Sequence, residues 1–431
     1  MSKRNRLVVA SGIKLAALTG VLLVSGCGKK KPEGEPAGAG AAPAAGAAPA
    51  PGAPATPGVS ATEIKIGQTM PYSGGLSAYG VIGKTEIAFF KMINEKGGIN
   101  GRKINLISYD DAYTPPKAVE QTRKLVEGDG VAFVFGSVGT ATNTAVQGYL
   151  NENKVPQLFV ATGADKWADP AKNPWTIGWQ PSYRTEAKIY ARHLLKEKPG
   201  AKICVLFQND DFGKDYLAGL KDGLGEQYDK LVIKTASYEV TDPTVDSQVI
   251  TLQAAGCDTL ISATTPKAAV GAIRKVADIG WKPLFIISNV SVSVTSVFTP
   301  AGLDKSTGII TGLYLKDPKD PAMASDAGMN EYRAFMKQYA PPELNPEDAN
   351  AVFGYGVSVS LVKVLTQCGN DLSRENIMKQ AANLTKLAVP VAIPGVEITT
   401  TATDFRPFSQ MQLGKFNGTS FERFGDVLSA D

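Results

Sequence analysis

The chain has 431 residues, with 45 Lys and Arg against 41 Asp and Glu, a single His and four Cys. So small a charge excess offers no basic field for nucleic acid. The lone His193 excludes zinc motifs built on several histidines and argues against a Ser–His relay, and neither G-x-S-x-G nor G-x-x-x-x-G-K-[ST] occurs.

Lys3, Arg4 and Arg6 open the chain, and Leu15 to Val24 is an apolar stretch. Its length of about ten residues suits the core of an export signal and falls short of the roughly 20 that span a bilayer. Leu23, Val24, Ser25 and Gly26, followed by Cys27, resemble the bacterial lipobox. That resemblance implies cleavage before Cys27 and lipidation of its thiol; a membrane would then hold the protein through its acyl chains alone. Lys3, Arg4, Arg6 and Lys14 would leave with the signal and take the whole basic excess with them. Residues 28–58 carry Lys29 to Lys31 and then a Pro/Ala/Gly tract without large apolar side chains, a composition that cannot bury enough surface to fold. As a coil of about 30 residues it spans roughly 30 Å. The expected order is a signal peptide over 1–26, a lipidated Cys and tether over 27–61, and folded sequence from residue 62.

About 370 residues remain, more than one ordinary core accommodates. "EIKIGQTM" reads as a strand entering a Ser/Gly loop, and Ile87, Phe90 and Ile93 mark a helix that stops at Gly97 and Gly98. A strand in "RKINLISYDDAY" precedes a helix opened by Pro115 and Pro116. "VAFVFG" has the continuous apolar character of a strand buried on both faces. A helix over "NTAVQGYLNENK" and a strand in "VPQLFVAT" complete the first run. The alternation restarts after residue 183, with a helix over 185–198 and strands in "KICVLF", "KLVIKTASYE", "DTLISAT" and "PLFIISN". Helices are expected at 331–339 and 350–367, then short strands and turns to the end. Two successive strand–helix runs mean an α/β protein of two doubly wound lobes.

Ligands of such sheets sit beyond the carboxyl ends of the strands. That rule selects the loops Tyr72 to Tyr79, Gly136 to Thr142, Ala161 to Asp165, Gln208 to Phe212, Thr264 to Pro266 and Asn289 to Ser293, three from each lobe. They hold small polar residues and aromatics. Asp210 and Asp211 precede a helix and read as its cap rather than as a catalytic pair. Once Cys27 is lipidated, three Cys remain, enough for at most one internal bridge. Cys204 and Cys257 read as separately packed small hydrophobes.

"IKIGQTMPYSGGLSAYG", "AFFKMINEKGGINGRKINLISYDDAYTPPKAV", "VAFVFGSVGTAT", "VPQLFVATGAD" and "NDDFGKDYLAGLKDGL" resemble, in order, successive blocks of the type I periplasmic binding proteins of the leucine/isoleucine/valine-binding group. The resemblance spans residues 62–431. It implies two Rossmann-like lobes, 62–182 with 315–393 and 183–314 with 394–431, joined by three crossings and closing over a small ligand. It also implies a non-enzymatic monomer, without cofactor, that hands its ligand to an ABC permease. A sensing module of the same fold and a true amino-acid binder are the alternatives. Carried over residue by residue, Gly139, Thr140, Ala161, Thr162 and Gly163 would hold a carboxylate. Tyr79, Tyr183 and Phe212 would flank the ligand, and Thr265 and Asn289 would complete the second lobe's side. The acids that face an ammonium group in this family match Asn289 and Ser182 here. An ammonium cannot be buried cheaply without a counter-charge, so the expected ligand is a carboxylate lacking an amine, with aromatic and aliphatic acids both candidates. The family's early disulfide is missing, its positions matching Tyr113 and Gly139.

Overall fold

The computed structural model describes residues 56–430. The export signal, Cys27 and most of the expected tether lie outside the described residues. Five parallel strands form the first sheet: β1 Glu63–Met70, β2 Lys103–Asp110, β3 Val134–Phe135, β4 Gln157–Val160 and β5 Thr176–Gly178, in the order β2-β1-β3-β4-β5. The second sheet has β6 Ile203–Gln208, β7 Val232–Tyr238, β8 Thr259–Ala263, β9 Leu284–Ile287 and β10 Ile310–Leu313, all parallel. The antiparallel pair β11 Gln410–Phe416 and β12 Phe421–Ser429 extends it, giving the order β12-β11-β10-β9-β8-β6-β7.

Each strand is followed by the helix or loop that carries it to the next. Helices α1 Gly80–Glu95, α2 Pro115–Arg123 and α3 Thr140–Glu152 serve the first sheet, and α4 Tyr183–Glu197 and α5 Asp211–Leu224 the second. The chain then returns to the first lobe through helices Ala327–Tyr339 and Ala349–Cys368, both packed on α1, before ending in the β11–β12 hairpin. Helix Ala349–Cys368 is apolar and long enough to cross a membrane, but it is a core helix. Its Ser360 hydroxyl accepts from the indole of the fully buried Trp179 at 2.8 Å.

Several elements differ from the sequence reading, and strands β5 and β10 were not expected. The regular ladder of the "VAFVFG" strand shrinks to Val134–Phe135, although Ala132 N and Phe133 O still bond β1 through Lys65 and Gly67. The strand expected from Lys230 starts at Val232, after a single helical turn over Tyr228–Leu231. A helix not expected at all, Arg374–Ala381, is capped by Ser373, whose hydroxyl accepts from Asn376 N.

The cysteine expectation is corrected as well: Cys204 and Cys257 are joined in a disulfide. Cys204 lies in β6, and Cys257 ends the turn that leads into β8, the parallel neighbour of β6. That pairing brings the two Cα atoms to 5.8 Å, within the range a bridge spans. Cys368 is buried and is the free thiol among the described residues.

The lobes meet in a closed arrangement. Asp165 N donates to Asp215 Oδ2 at 2.7 Å, and Lys166 pairs with Asp211 at 2.6 Å. On the other side, the hydroxyls of Ser293 and Ser296 donate to Asp348 at 3.0 and 2.6 Å. Asp348 also caps its own helix through Asn350 N, and Ser293 likewise caps the following turn through Ser296 N. Ser293→Ala with Ser296→Ala removes two hydrogen bonds to a carboxylate, each worth about 1.5 kcal/mol. The closed-to-open ratio is then expected to fall about a hundredfold. Small-angle X-ray scattering of the ligand-free protein should show a larger radius of gyration than wild type. An unchanged radius would mean that these serines do not hold the lobes together.

Candidate ligand-binding site

The carboxyl ends of the parallel strands face a cavity of about 90 Å³ between the lobes. A water fills roughly 10–15 Å³ on the same measure, so the space holds about six to nine water-sized groups. Tyr79, Gly139, Thr140, Ala161, Tyr183, Phe212, Thr265 and Asn289 all line it. Thr162 and Gly163 do not. Thr162 turns its hydroxyl to Thr140 Oγ1 at 2.5 Å and supports that side chain from behind. Gly163 presses against the chain at Pro181, where a Cβ would come within 2.5 Å of the Pro181 carbonyl oxygen. Its own carbonyl accepts from Tyr183 N at 2.7 Å. The Ala161 amide is likewise committed, donating to Ser137 O at 2.9 Å.

The donors that remain on the first lobe are at the start of α3. Gly139, at φ +107°, turns the chain so that Thr140 begins the helix, and the first-turn amides have no intrahelical acceptor. With the Thr140 hydroxyl and the positive end of the helix dipole, they make a donor-rich corner suited to an anion. Gln180, in the loop after β5, adds an amide nitrogen that is buried at the wall and has no hydrogen-bond partner.

Aromatic rings form the flanks. Tyr183 and Phe212 lie with ring centroids 4.5 Å apart, and Tyr79 reaches across to donate to Val290 O at 3.0 Å. Burial raises the Tyr183 phenol to about 12 and pushes those of Tyr79 and Tyr113 well up, so all three rings are neutral. Asp210 caps α5 as expected, accepting from Phe212 N at 3.0 Å and Gly213 N at 3.4 Å. Ser182 caps α4 through Thr185 N. Among the lining residues the ionisable groups are already engaged. Lys316 gives its ammonium to Asp326 and to Pro390 O, both at 2.7 Å, and Asp317 accepts from the amides of Phe421 and Lys319.

The sequence reading missed Tyr113, Gln180, Tyr314 and Phe353. Tyr113 follows β2, so the strand-end rule would have found it had that loop been included; Gln180 follows β5, a strand the sequence reading did not expect. Tyr314 follows β10, likewise not expected. Phe353 comes from a helix on the far side of a lobe crossing, for which no local pattern speaks.

The sequence profile of periplasmic binding proteins matches residues 63–420. The chain belongs to that family. Within it, it falls in the type I group of Leu/Ile/Val-binding proteins, which bind solutes and are not enzymes. The Leu/Ile/Val-binding protein homolog 3 of Brucella melitensis is 27% identical over 292 residues, which cover 65% of this chain and 77% of that protein. Among solved structures, a branched chain amino acid ABC transporter protein from Thermus thermophilus with bound valine superposes at a TM-score of 0.76. It is 15% identical, with 85% of this chain and 97% of that one covered. A solute binding protein of an ABC transporter from R. palustris, in complex with benzoate, superposes at 0.70, with 20% identity and 85% and 98% coverage. Tyr113 and Gly139 are in contact. A Cβ on Gly139 would stand 2.4 Å from the Tyr113 ring, so only glycine fits there.

Proposed function

We propose that this protein is the substrate-binding subunit of an ABC importer, anchored by a lipid on Cys27, and that it carries a small carboxylate without an ammonium group. In this reading the lobes 62–182 with 315–393 and 183–314 with 394–431 close over the ligand, and contact with both lobes selects the closed form. The observation that carries the reading is the asymmetry of the cavity wall. Donors gather at the start of α3 and at Gln180, aromatic rings flank them, and the one lining carboxylate, on Asp317, is committed to two backbone amides. A buried ammonium would find no free counter-ion there, at a cost of several kcal/mol. The volume fits benzoate or a branched aliphatic acid. The benzoate complex of the R. palustris protein supports an acid ligand on this fold, whereas the valine complex of the Thermus protein is the rival precedent.

A thermal-shift series with benzoate, 4-methylvalerate, valine and leucine tests the reading. A ligand present at 100 times its Kd stabilises by about 2.7 kcal/mol. The acids are expected to raise the melting temperature and the amino acids to leave it unchanged; the reverse pattern would sink the ammonium-free part. Thr140→Val removes one hydroxyl from the anion corner and is expected to weaken acid binding about tenfold, a loss typical of one hydrogen bond to a charged group. Calorimetric titration of the variant checks this, and an unchanged Kd would move the carboxylate away from α3.

A further inference from the structure

We propose that Glu186, which lies behind the cavity wall, sets ligand preference by fixing the Asn289 amide with its oxygen toward the ligand, so that the bound acid must present a neutral hydrogen-bond donor, a hydroxyl or carboxamide N–H, to the second lobe. The inference rests on the carboxylate reading above and deepens it.

Glu186 is on the first turn of α4 and is completely buried. Its two oxygens grip Asn289: the backbone N–H donates to Oε1 at 2.8 Å, and Nδ2 donates to Oε2 at 2.6 Å. The Tyr190 hydroxyl also donates to Oε1 and in turn accepts from Gly312 N at 2.7 Å. Above the raised value of about 7 at which it ionises, Glu186 only accepts, and of the two ends of a carboxamide only the nitrogen donates. Turning the Asn289 side chain over would set oxygen against oxygen, so the grip permits one orientation. Among the described residues no hydrogen bond reaches Asn289 Oδ1, and Asn289 is a lining residue of the cavity. The oxygen is therefore a fixed acceptor on the second-lobe side, facing a ligand whose carboxylate is held on the first. An apolar ligand edge placed there would strip water from this acceptor and give nothing back.

Glu186 touches no ligand in this scheme and is a positioning residue. Its signature is a change in preference without a general loss of binding. Calorimetric titrations at pH 8, where Glu186 is ionised, should compare 4-methylvalerate with 2-hydroxy-4-methylvalerate, and benzoate with its three monohydroxylated forms, on wild type and on Glu186→Gln. In wild type at least one hydroxylated acid is expected to bind ten times or more tighter than its parent. In Glu186→Gln the ratio should collapse to within about threefold while the parent acid keeps its affinity, because a glutamine can offer its own N–H and let the Asn289 amide turn. Asn289→Ala, which removes the acceptor and keeps the backbone N–H, should lose the same ratio and serves if the glutamine variant fails to fold. Parent and hydroxylated acids binding alike in wild type would overturn the proposal, as would an undiminished ratio in both variants. Binding of none of these acids would overturn the carboxylate reading itself, and with it the proposal.

Discussion

Replacing Cys204 and Cys257 together by alanine is expected to lower the stability of the folded protein by about 4 kcal/mol at the chain-entropy limit, the value for a closed loop of their separation. The two residues are 53 positions apart, and the loop between them holds β7 and the following helix, Asp246–Ala254. In the unfolded chain the bridge forbids most arrangements of that loop. In the folded chain the parallel pairing of β6 with β8 already brings the two positions together, so the bridge restricts little that the sheet has not fixed. Both residues sit in an apolar cluster with Leu206, Leu252 and Ile273, so alanine removes one sulfur each from a packed wall without exposing a polar group. Urea unfolding of the double variant should show a lower midpoint, and reduced wild type should unfold at nearly the same concentration. A loss below about 1 kcal/mol in both would mean that the loop is constrained without the bridge. The cavity-lining loops lie at the other ends of these strands, so acid binding by the folded variant should be unchanged.

The same bridge shows where sequence reading stops. Periodicity located β6 and β8, because Cys204 and Leu260 stand in runs of apolar residues. It did not show that β6 would lie between β7 and β8, and only that order brings Cys204 beside the turn at Cys257. The loop rule worked for the opposite reason. Every strand of a parallel sheet ends on the same side, so Tyr79, Thr140, Ala161, Phe212, Thr265 and Asn289 could be gathered without knowing strand order. It failed at Thr162, which alternation sends behind Ala161, and at Gly163, which packs against the chain at Pro181. Glu186 was beyond reach altogether. In sequence it is one acid on an amphipathic helix, four residues before Tyr190, and nothing local says that Asn289, about a hundred positions later, will close over it.

That carboxylate also governs the second large effect: stability is expected to fall as pH rises from 5 to 8. Burial raises the Glu186 carboxyl from 4.5 to about 7, against hydrogen bonds from Tyr190 and Asn289 that favour the ion. Burial lifts Asp111 to about 6 and Asp215 to about 7, and it raises Glu86, Asp210 and Asp317 in the same direction. The unfolded chain loses these protons near the ordinary carboxyl values, and the folded chain keeps them to higher pH. Between the two values the folded state binds more protons, so its stability is full below about pH 4 and is lost as pH climbs through the folded values. For Glu186 alone the displacement corresponds to about 3 kcal/mol.

His193 and the carboxyls lowered by hydrogen bonds and ion pairs, among them Asp110, Asp222, Asp258 and Asp326, act the other way. Burial lowers His193, which therefore destabilises the fold as pH falls, but it is a single half-buried ring. Asp110 is held far below its ordinary value because hydrogen bonds from Ser73 and Lys117 outweigh its burial. Those carboxyls lose their contribution only below about pH 4, outside the window. The groups that face Glu186 from α4, α5 and the loop after β9 are Tyr190, Tyr216 and Asn289. None carries a charge in this range, so no partner masks its titration. Urea unfolding at pH 5, 6, 7 and 8 should show wild type losing stability stepwise. Glu186→Gln, with no proton to release, should lose about 3 kcal/mol less over the same span. Stability that is flat or rising with pH would refute the sign, and equal slopes for the two proteins would remove Glu186 as the cause.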